Sequence, residues 1–497
     1  MIRIFPEPML SYFNNASLEI TLLIAVLALF VVGMMLDKFK YRKLLITASC
    51  FIILFFSMEL CLTKLDSGES VIAFNQLYVS NLYVNFFKLL LIIATFIMFL
   101  LFLGYEKISE SFFKTESLIF IFVTLLAGFI MLSANDLIPF YLGIELLFIC
   151  VYALICFDRA EEKFLVVIIK YFLINLFFSS LMLYGIVLLY GSLGTTNFSV
   201  LADTYVLANE VPIGAMLGVG LLTIGFVCKL FGTSLNIYST DIYENISLPI
   251  SMFLLVITKL IMLLALLKLF VVDLSVLKTI SLFILKFSAI AFMCIGAVFS
   301  VKQSSIKKVL ALATIYNIGW ILLGGASNSE EGIKGAVILL IVFMTALIGL
   351  YALIFIIKGN TREKIDVSIL KGLEKTNPVL AYLFAILLLS IVGIPPFSGA
   401  IGRFYIVSAL INVKSYLLVF FAISITIVFT FNCLKILKSM YFSNISNKKA
   451  ILKYYSIGFV LVASSSAILN LLLVFAPNGL NLINTYLRGG IIDELVK

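Results

Sequence analysis

A chain of 497 residues that is 63% hydrophobic and only 12% charged, with a mean hydropathy of +1.19, lies far outside the composition of a water-soluble globular protein. Its formal net charge of +9 comes with no soluble basic segment interleaved with aromatics, which excludes a nucleic-acid binder. The absence of histidine removes the commonest haem and transition-metal ligand, and the seven cysteines stand in apolar runs without a CxxC, so zinc, iron–sulfur and disulfide frameworks are excluded too.

A membrane span needs about 20 apolar residues, and that ruler marks fourteen spans, giving an all-α membrane protein. In chain order they cover 18–36, 43–62, 80–104, 117–134, 137–157, 165–191, 212–239, 248–272, 279–300, 306–325, 333–357, 378–411, 415–442 and 455–476. The opening residues, MIRIFPEPMLSYFNNASLEI, lack the basic n-region and small-residue cleavage site of a signal peptide, so the first span is expected to be retained. Spans seven and twelve are predicted to be broken helices. Gly232, Thr233 and Ser234 follow Lys229 directly in the seventh, while Gly393, Pro395 and Pro396 stand at the middle of the twelfth, which is too long for one straight helix. Broken helices at corresponding places of two halves point to a transport site built on inverted repeats. The division that follows is a three-helix segment over 1–114, two inverted five-helix halves over 115–275 and 276–445, and a C-terminal helix and tail over 446–497.

Alternate loops carry 20 Lys and Arg on one side of the spans and seven on the other. By the positive-inside rule, an even number of spans then puts both termini on the outer side, and the net charge is explained by topology. Lysine outnumbers arginine 29 to six and Phe, Ile and Asn are abundant, as in the AT-rich genomes of many organelles.

Eight cations remain inside the spans: Lys88, Lys170, Lys229, Lys259, Lys268, Lys286, Arg403 and Lys435. Each costs roughly 2.5–3.5 kcal/mol at mid-bilayer on insertion scales. Lys88, Lys268, Lys286 and Lys435 lie within about two or three turns of span ends, so snorkelling to the headgroups or a structural role is the expectation for them. Lys229 and Lys259 are too deep for that, and Lys170 is intermediate. Glu145, in FYLGIELLF of span five, has no cation near it in sequence. It is either a neutral acid bonded to a carbonyl or a carboxylate paired with a cation of another helix, for which Lys229 and Lys170 are the candidates. A buried Glu–Lys pair that can be made and broken is a switchable proton site, because burial disfavours lysine's charge and a carboxylate restores it. Lysine suits such work, whereas arginine stays protonated. Matching the two halves sets Lys229 against Arg403 and Lys259 against Lys435.

Six stretches together resemble a known family: YLGIEL at 141–146, KYFLINLFFSS at 170–180, residues 229–243, KKVLALATIYNIGW at 307–320, KTNPVLA at 375–381 and GIPPFSGAIGRFY at 393–405. In that order, over roughly residues 115–445, they are similar to the subunit 2 family of mitochondrial respiratory complex I, the counterpart of bacterial subunit N. The resemblance implies a fourteen-helix, antiporter-like, proton-translocating subunit of NADH:ubiquinone oxidoreductase in the mitochondrial inner membrane, with both ends on the intermembrane-space side. It implies no redox cofactor in this chain, with NADH, flavin, iron–sulfur clusters and ubiquinone elsewhere in the complex. The implied partners are the other membrane-arm subunits, with subunits 4 and 4L as neighbours, accessory subunits and membrane lipid.

By motif position, Glu145 takes the place of the family's helix-five glutamate, Lys229 that of the helix-seven lysine and Lys259 that of the central helix-eight lysine. Arg403 stands where a helix-twelve lysine is expected, and Lys170, Asp241 and Lys435 are secondary positions. Asn236 and Asn317 replace two expected histidines; asparagine holds water but cannot carry a proton's charge. Arg403 is therefore expected to act as a fixed cation, ordering water or tuning a neighbour, at the end of a relay from Glu145 and Lys229 through Lys259. Two other readings stay open, a subunit of a cation/proton antiporter that shares this ancestry and a scaffold whose proton path has decayed.

Overall fold

The computed structural model describes residues 15–35, 42–68, 70–106, 115–157, 162–201, 212–235, 246–269, 278–358, 365–443 and 457–475. The helices are α1 (Ser17–Met35), α2 (Arg42–Ser67), α3 (Leu82–Glu106), α4 (Thr115–Ser133), α5 (Leu137–Phe157), α6 (Glu162–Leu193), α7 (Ile213–Leu235), α8 (Leu248–Leu267), α9 (Lys278–Ser300), α10 (Ile306–Ala326), α11 (Glu330–Lys358), α12 (Pro378–Val392), α13 (Gly399–Asn412), α14 (Tyr416–Phe442) and α15 (Ile457–Phe475). Among the described residues each of the fourteen predicted spans contains helix, the twelfth being divided between α12 and α13. Among the described residues 12 helices are long and apolar enough to cross a membrane, with α1, α12 and α13 shorter, so the chain is a multi-pass membrane protein. Helix is the form these sequences take because hydrocarbon offers no partner to a backbone N–H or C=O, and a helix satisfies both within itself.

Local chemistry sets the ends. Asp136 accepts the Ile138 N–H at 2.8 Å at the start of α5 and the Thr196 hydroxyl at 2.8 Å, tying that start to the chain after α6. Asn377 caps α12, accepting the Leu380 N–H at 3.3 Å, and Pro378 fills the first helical position. α12 stops at Gly393, whose φ of 72° is the left-handed conformation that ends helices and that a side chain resists. Residues 394–398 then turn the chain, through a cis Pro395–Pro396 bond, into α13.

The structure adds one feature that the sequence does not announce and corrects one expectation. The link between α2 and α3 carries two short strands, β1 (Val71–Ala73) and β2 (Tyr78–Ser80), paired antiparallel with Ile72 opposite Val79. Segments of three residues are too short to register against span-sized windows, yet their backbone groups still need partners where the chain crosses the bundle end. α7 also continues through Gly232, Thr233 and Ser234 to Leu235, so the helix is unbroken directly after Lys229. Residues 236–245, with Asn236 and Asp241, lie outside the described residues.

α8 and α10 form the centre, buried throughout their span windows, whereas α14 lies at the edge and exposes side chains such as Leu417, Phe420 and Phe431. Close helix approach rests on glycine, as is usual where lipid supplies no hydrophobic push between helices. Gly143 of α5 abuts Met131 and the Ala127 carbonyl of α4; Gly319 of α10 abuts Met293 and the Ala289 carbonyl of α9 in the same way. Gly225 of α7 against Met182 and Phe178 of α6, and Gly402 of α13 against Leu339 and Gly335 of α11, make a second such pair of contacts. Within each pair the second glycine follows the first at the same offset along the chain to within one residue.

Candidate functional site

The central observation is a buried ion pair between α5 and α7. Lys229 Nζ donates to Glu145 Oε1 at 2.5 Å and lies 4.9 Å from the centre of the Phe148 ring, one turn along from Glu145. The lysine side chain is 0% exposed and the glutamate 26%, so the carboxylate sits at the border of the chain while the ammonium points inward. Lys170, the other candidate partner, stands on an exposed face of α6, and the ion pair goes to Lys229.

Lys259 of α8 continues the file. Its ammonium is buried and donates at 2.7 Å to the carbonyl of Leu230, the residue after Lys229. Lys229 and Lys259 both line a cavity of about 10 Å³ with Tyr171 and Thr258, about the space one water molecule occupies. Neither lysine snorkels, since both side chains are buried within the bundle. Glu145, Lys229 and Lys259 therefore form one continuous polar line from the edge of the chain to its centre.

Arg403 belongs to a separate cluster in the second half. It is buried on α13 and donates to Ile391 O at 2.8 Å, to Val392 O and to Asn317 Oδ1 at 3.1 Å. Those two carbonyls are the unsatisfied C-terminal groups of α12, the negative end of its dipole. The guanidinium also lies 5.1 Å from the Tyr316 ring and 5.2 Å from the Trp320 ring. Trp320 Nε1 donates to Tyr316 Oη at 3.0 Å, and Tyr316 Oη donates to Thr426 Oγ1 at 2.9 Å. Asn317 and Arg403 thus touch one another: the amide oxygen gives a permanent cation an acceptor where an imidazolium would repel it. Among the described residues no hydrogen bond links this cluster to Lys259.

The half-to-half matching also needs correction. The glycine contacts place Arg403 just after Gly402 but Lys229 a full turn after Gly225, so the two cations are about a turn out of register. Lys259 and Lys435 share the glycines' offset, yet Lys435 is exposed on α14 while Lys259 is buried.

Three further lysines are buried; for Lys88 and Lys268 this is the structural one of the two roles expected, not snorkelling, and Lys307 joins them. Lys88 pairs with Glu19 of α1 at 2.5 Å, the carboxylate also accepting the Ser133 hydroxyl at 2.9 Å and the Tyr78 hydroxyl at 3.2 Å. Lys268 donates to Ala134 O, and Lys307 to Ile246 O at 2.6 Å. The sequence signal for the first of these is an acid, Glu19, in one apolar run and a base, Lys88, in another. Among the described residues, no group of three or more His, Cys, Asp and Glu could hold a metal ion.

Comparison with known proteins bears on the chain as a whole. Residues 134–430 match the family model described as NADH:quinone oxidoreductase/Mrp antiporter, TM. The chain is 32% identical over 431 residues to NADH-quinone oxidoreductase subunit N of Paramagnetospirillum magneticum, covering 85% of this chain and 87% of that one. It is 28% identical to NADH-ubiquinone oxidoreductase chain 2 of Marchantia polymorpha, covering 85% and 88%. Its fold is shared with a chain of respiratory complex I from Thermus thermophilus (TM-score 0.77, 18% identity, 93% and 97% covered) and with one of the Mrp complex from Dietzia sp. (TM-score 0.77, 18% identity, 98% and 100% covered).

Proposed function

Because the chain belongs to the NADH:quinone oxidoreductase/Mrp antiporter transmembrane family, we propose that it is a proton-translocating membrane-arm subunit of respiratory complex I, coupling electron transfer from NADH to quinone elsewhere in the assembly to proton movement through Glu145, Lys229 and Lys259. The observation that carries this reading is the 2.5 Å Glu145–Lys229 pair whose lysine shares a cavity with Lys259. The chain's sequence relatives named above are NADH-quinone and NADH-ubiquinone oxidoreductase subunits, which favours complex I over a free-standing antiporter.

The mechanism follows from electrostatics. While the pair is closed, the carboxylate supports the ammonium; when a neighbouring subunit draws Glu145 away, Lys229 is left charged in low dielectric and gives up its proton toward Lys259. Glu145 is the group a neighbour can reach, being the partly exposed member of the pair. Breaking a buried pair costs about 3–5 kcal/mol, against about 2.3 kcal/mol to move one charge through 100 mV, so one opening suffices for one proton. Arg403 keeps its charge throughout and acts as a fixed cation. The halves 115–275 and 276–445 are inverted repeats in this reading, a division supported by the recurring glycine contacts. NADH, flavin, iron–sulfur clusters and ubiquinone belong to other subunits, and subunits 4 and 4L are the neighbours. We place the chain in the mitochondrial inner membrane with both ends on the intermembrane-space side. The test is proton flux in reconstituted vesicles: Lys229→Met in an assembled complex should lower the protons moved per NADH oxidised, and an unchanged ratio would remove the proposal.

A further inference from the structure

A cavity of about 970 Å³ opens between α12 and α14, at the upper end of the size range of ligand sites. Its walls change character along the membrane normal. Tyr382, one turn into α12, and Lys438 and Tyr441, near the end of α14, line one end. Leu389, seven residues after Tyr382, and Phe431, seven before Lys438, lie about 10 Å deeper and line the other. Lys435 and Lys438 lie three residues apart on one face of α14, exposed, and among the described residues neither has a hydrogen-bond or ion-pair partner. Glu374, within electrostatic reach of Tyr441, is the carboxylate at that end and leaves the rim net positive.

The geometry points to a binding site for one anionic phospholipid, its phosphate held by Lys435 and Lys438 beside Tyr382 and Tyr441, and an acyl chain laid between α12 and α14 against Leu389 and Phe431. Charge complementarity selects this occupant. A neutral lipid leaves two ammonium groups unanswered, and an apolar helix of another subunit would press them into hydrocarbon, whereas a basic pocket at the lysine-rich end of a bundle matches an anionic headgroup and the aromatic pair matches the interface. The site gives Lys435 a role that its position opposite Lys259 does not, since the exposed lysine faces lipid and not the polar line.

The test counts phospholipid retained per copy of the chain, by mass spectrometry, as the native complex is stripped stepwise with detergent. Wild type is compared with Lys435→Ala/Lys438→Ala and with Leu389→Trp, which fills the apolar end. One firmly held anionic phospholipid is expected in the wild type, with retention about 30-fold weaker in the double lysine variant. It should be lost in Leu389→Trp, with assembly intact on a native gel. Vesicles of cardiolipin or phosphatidylglycerol should refill the stripped wild-type site, and vesicles of phosphatidylcholine should not. Equal retention in all three proteins, loss of neutral lipid only, or density for a protein helix in the cavity would overturn the assignment.

Discussion

Deleting one member of the Glu145–Lys229 pair is the sharpest perturbation available. At 2.5 Å and an effective dielectric of about 20, two unit charges attract by about 7 kcal/mol. Glu145 is 26% exposed, so solvent screens part of this, and the loss on removing one partner falls to about 3–5 kcal/mol. That is about two to three and a half orders of magnitude in the equilibrium that the pair holds, at about 1.4 kcal/mol per tenfold. Glu145→Gln keeps the shape of the side chain and removes only its charge. Proton uptake by vesicles, read with a pH-sensitive dye while NADH oxidation is followed in parallel, should show protons per electron falling in Glu145→Gln and in Lys229→Met. The double variant should be no worse than either, because both single changes abolish the same pair. Additive losses, or a wild-type ratio in either single variant of an assembled complex, would refute the account.

Other outcomes follow from the same geometry. Lys259→Arg keeps a cation on α8 but not one that releases its proton, so it should block pumping as fully as Lys259→Met in the same vesicle assay. Glu19→Gln strands Lys88 among α1, α3 and α4 and should cost about 3–5 kcal/mol, seen as a lower melting temperature; adding Lys88→Met should recover most of it. Gly319→Ala places a methyl 2.5 Å from Met293 Cγ and 2.7 Å from the Ala289 carbonyl, and overpacking there should cost about 1–3 kcal/mol of thermal stability. Asn317→His alone sets an imidazole against Arg403 and should lower complex yield, which Asn317→His with Arg403→Lys should restore.

The spans were legible because a twenty-residue apolar run has one stable outcome in lipid. The twelfth was legible as interrupted because Gly393 and two prolines cannot continue a helix. Glu145, Lys229 and Lys259 were legible because charge deep in an apolar run demands a partner, and the structure brings all three together. What sequence reasoning missed depends on which spans become neighbours. For Lys88, distance from the span end leaves snorkelling and a structural role equally open, and the choice falls to the structural one because α1 brings Glu19 against it. The short β1–β2 pair escaped for a similar reason, being defined by pairing and not by composition. The contact of Asn317 with Arg403 joins two positions that the sequence presents as unrelated, because residues 86 apart carry no sign of touching.

Arg403 rides on α13 while its guanidinium grips the last carbonyls of α12, so it acts as a clasp across the gap in the twelfth span. Pulling the two half-helices apart would take two carbonyl acceptors from a permanent cation and leave it only Asn317 and the faces of Tyr316 and Trp320. These bonds brace the joint. In the proposed mechanism the moving part lies instead around α5 and α7, where the Glu145–Lys229 pair can open.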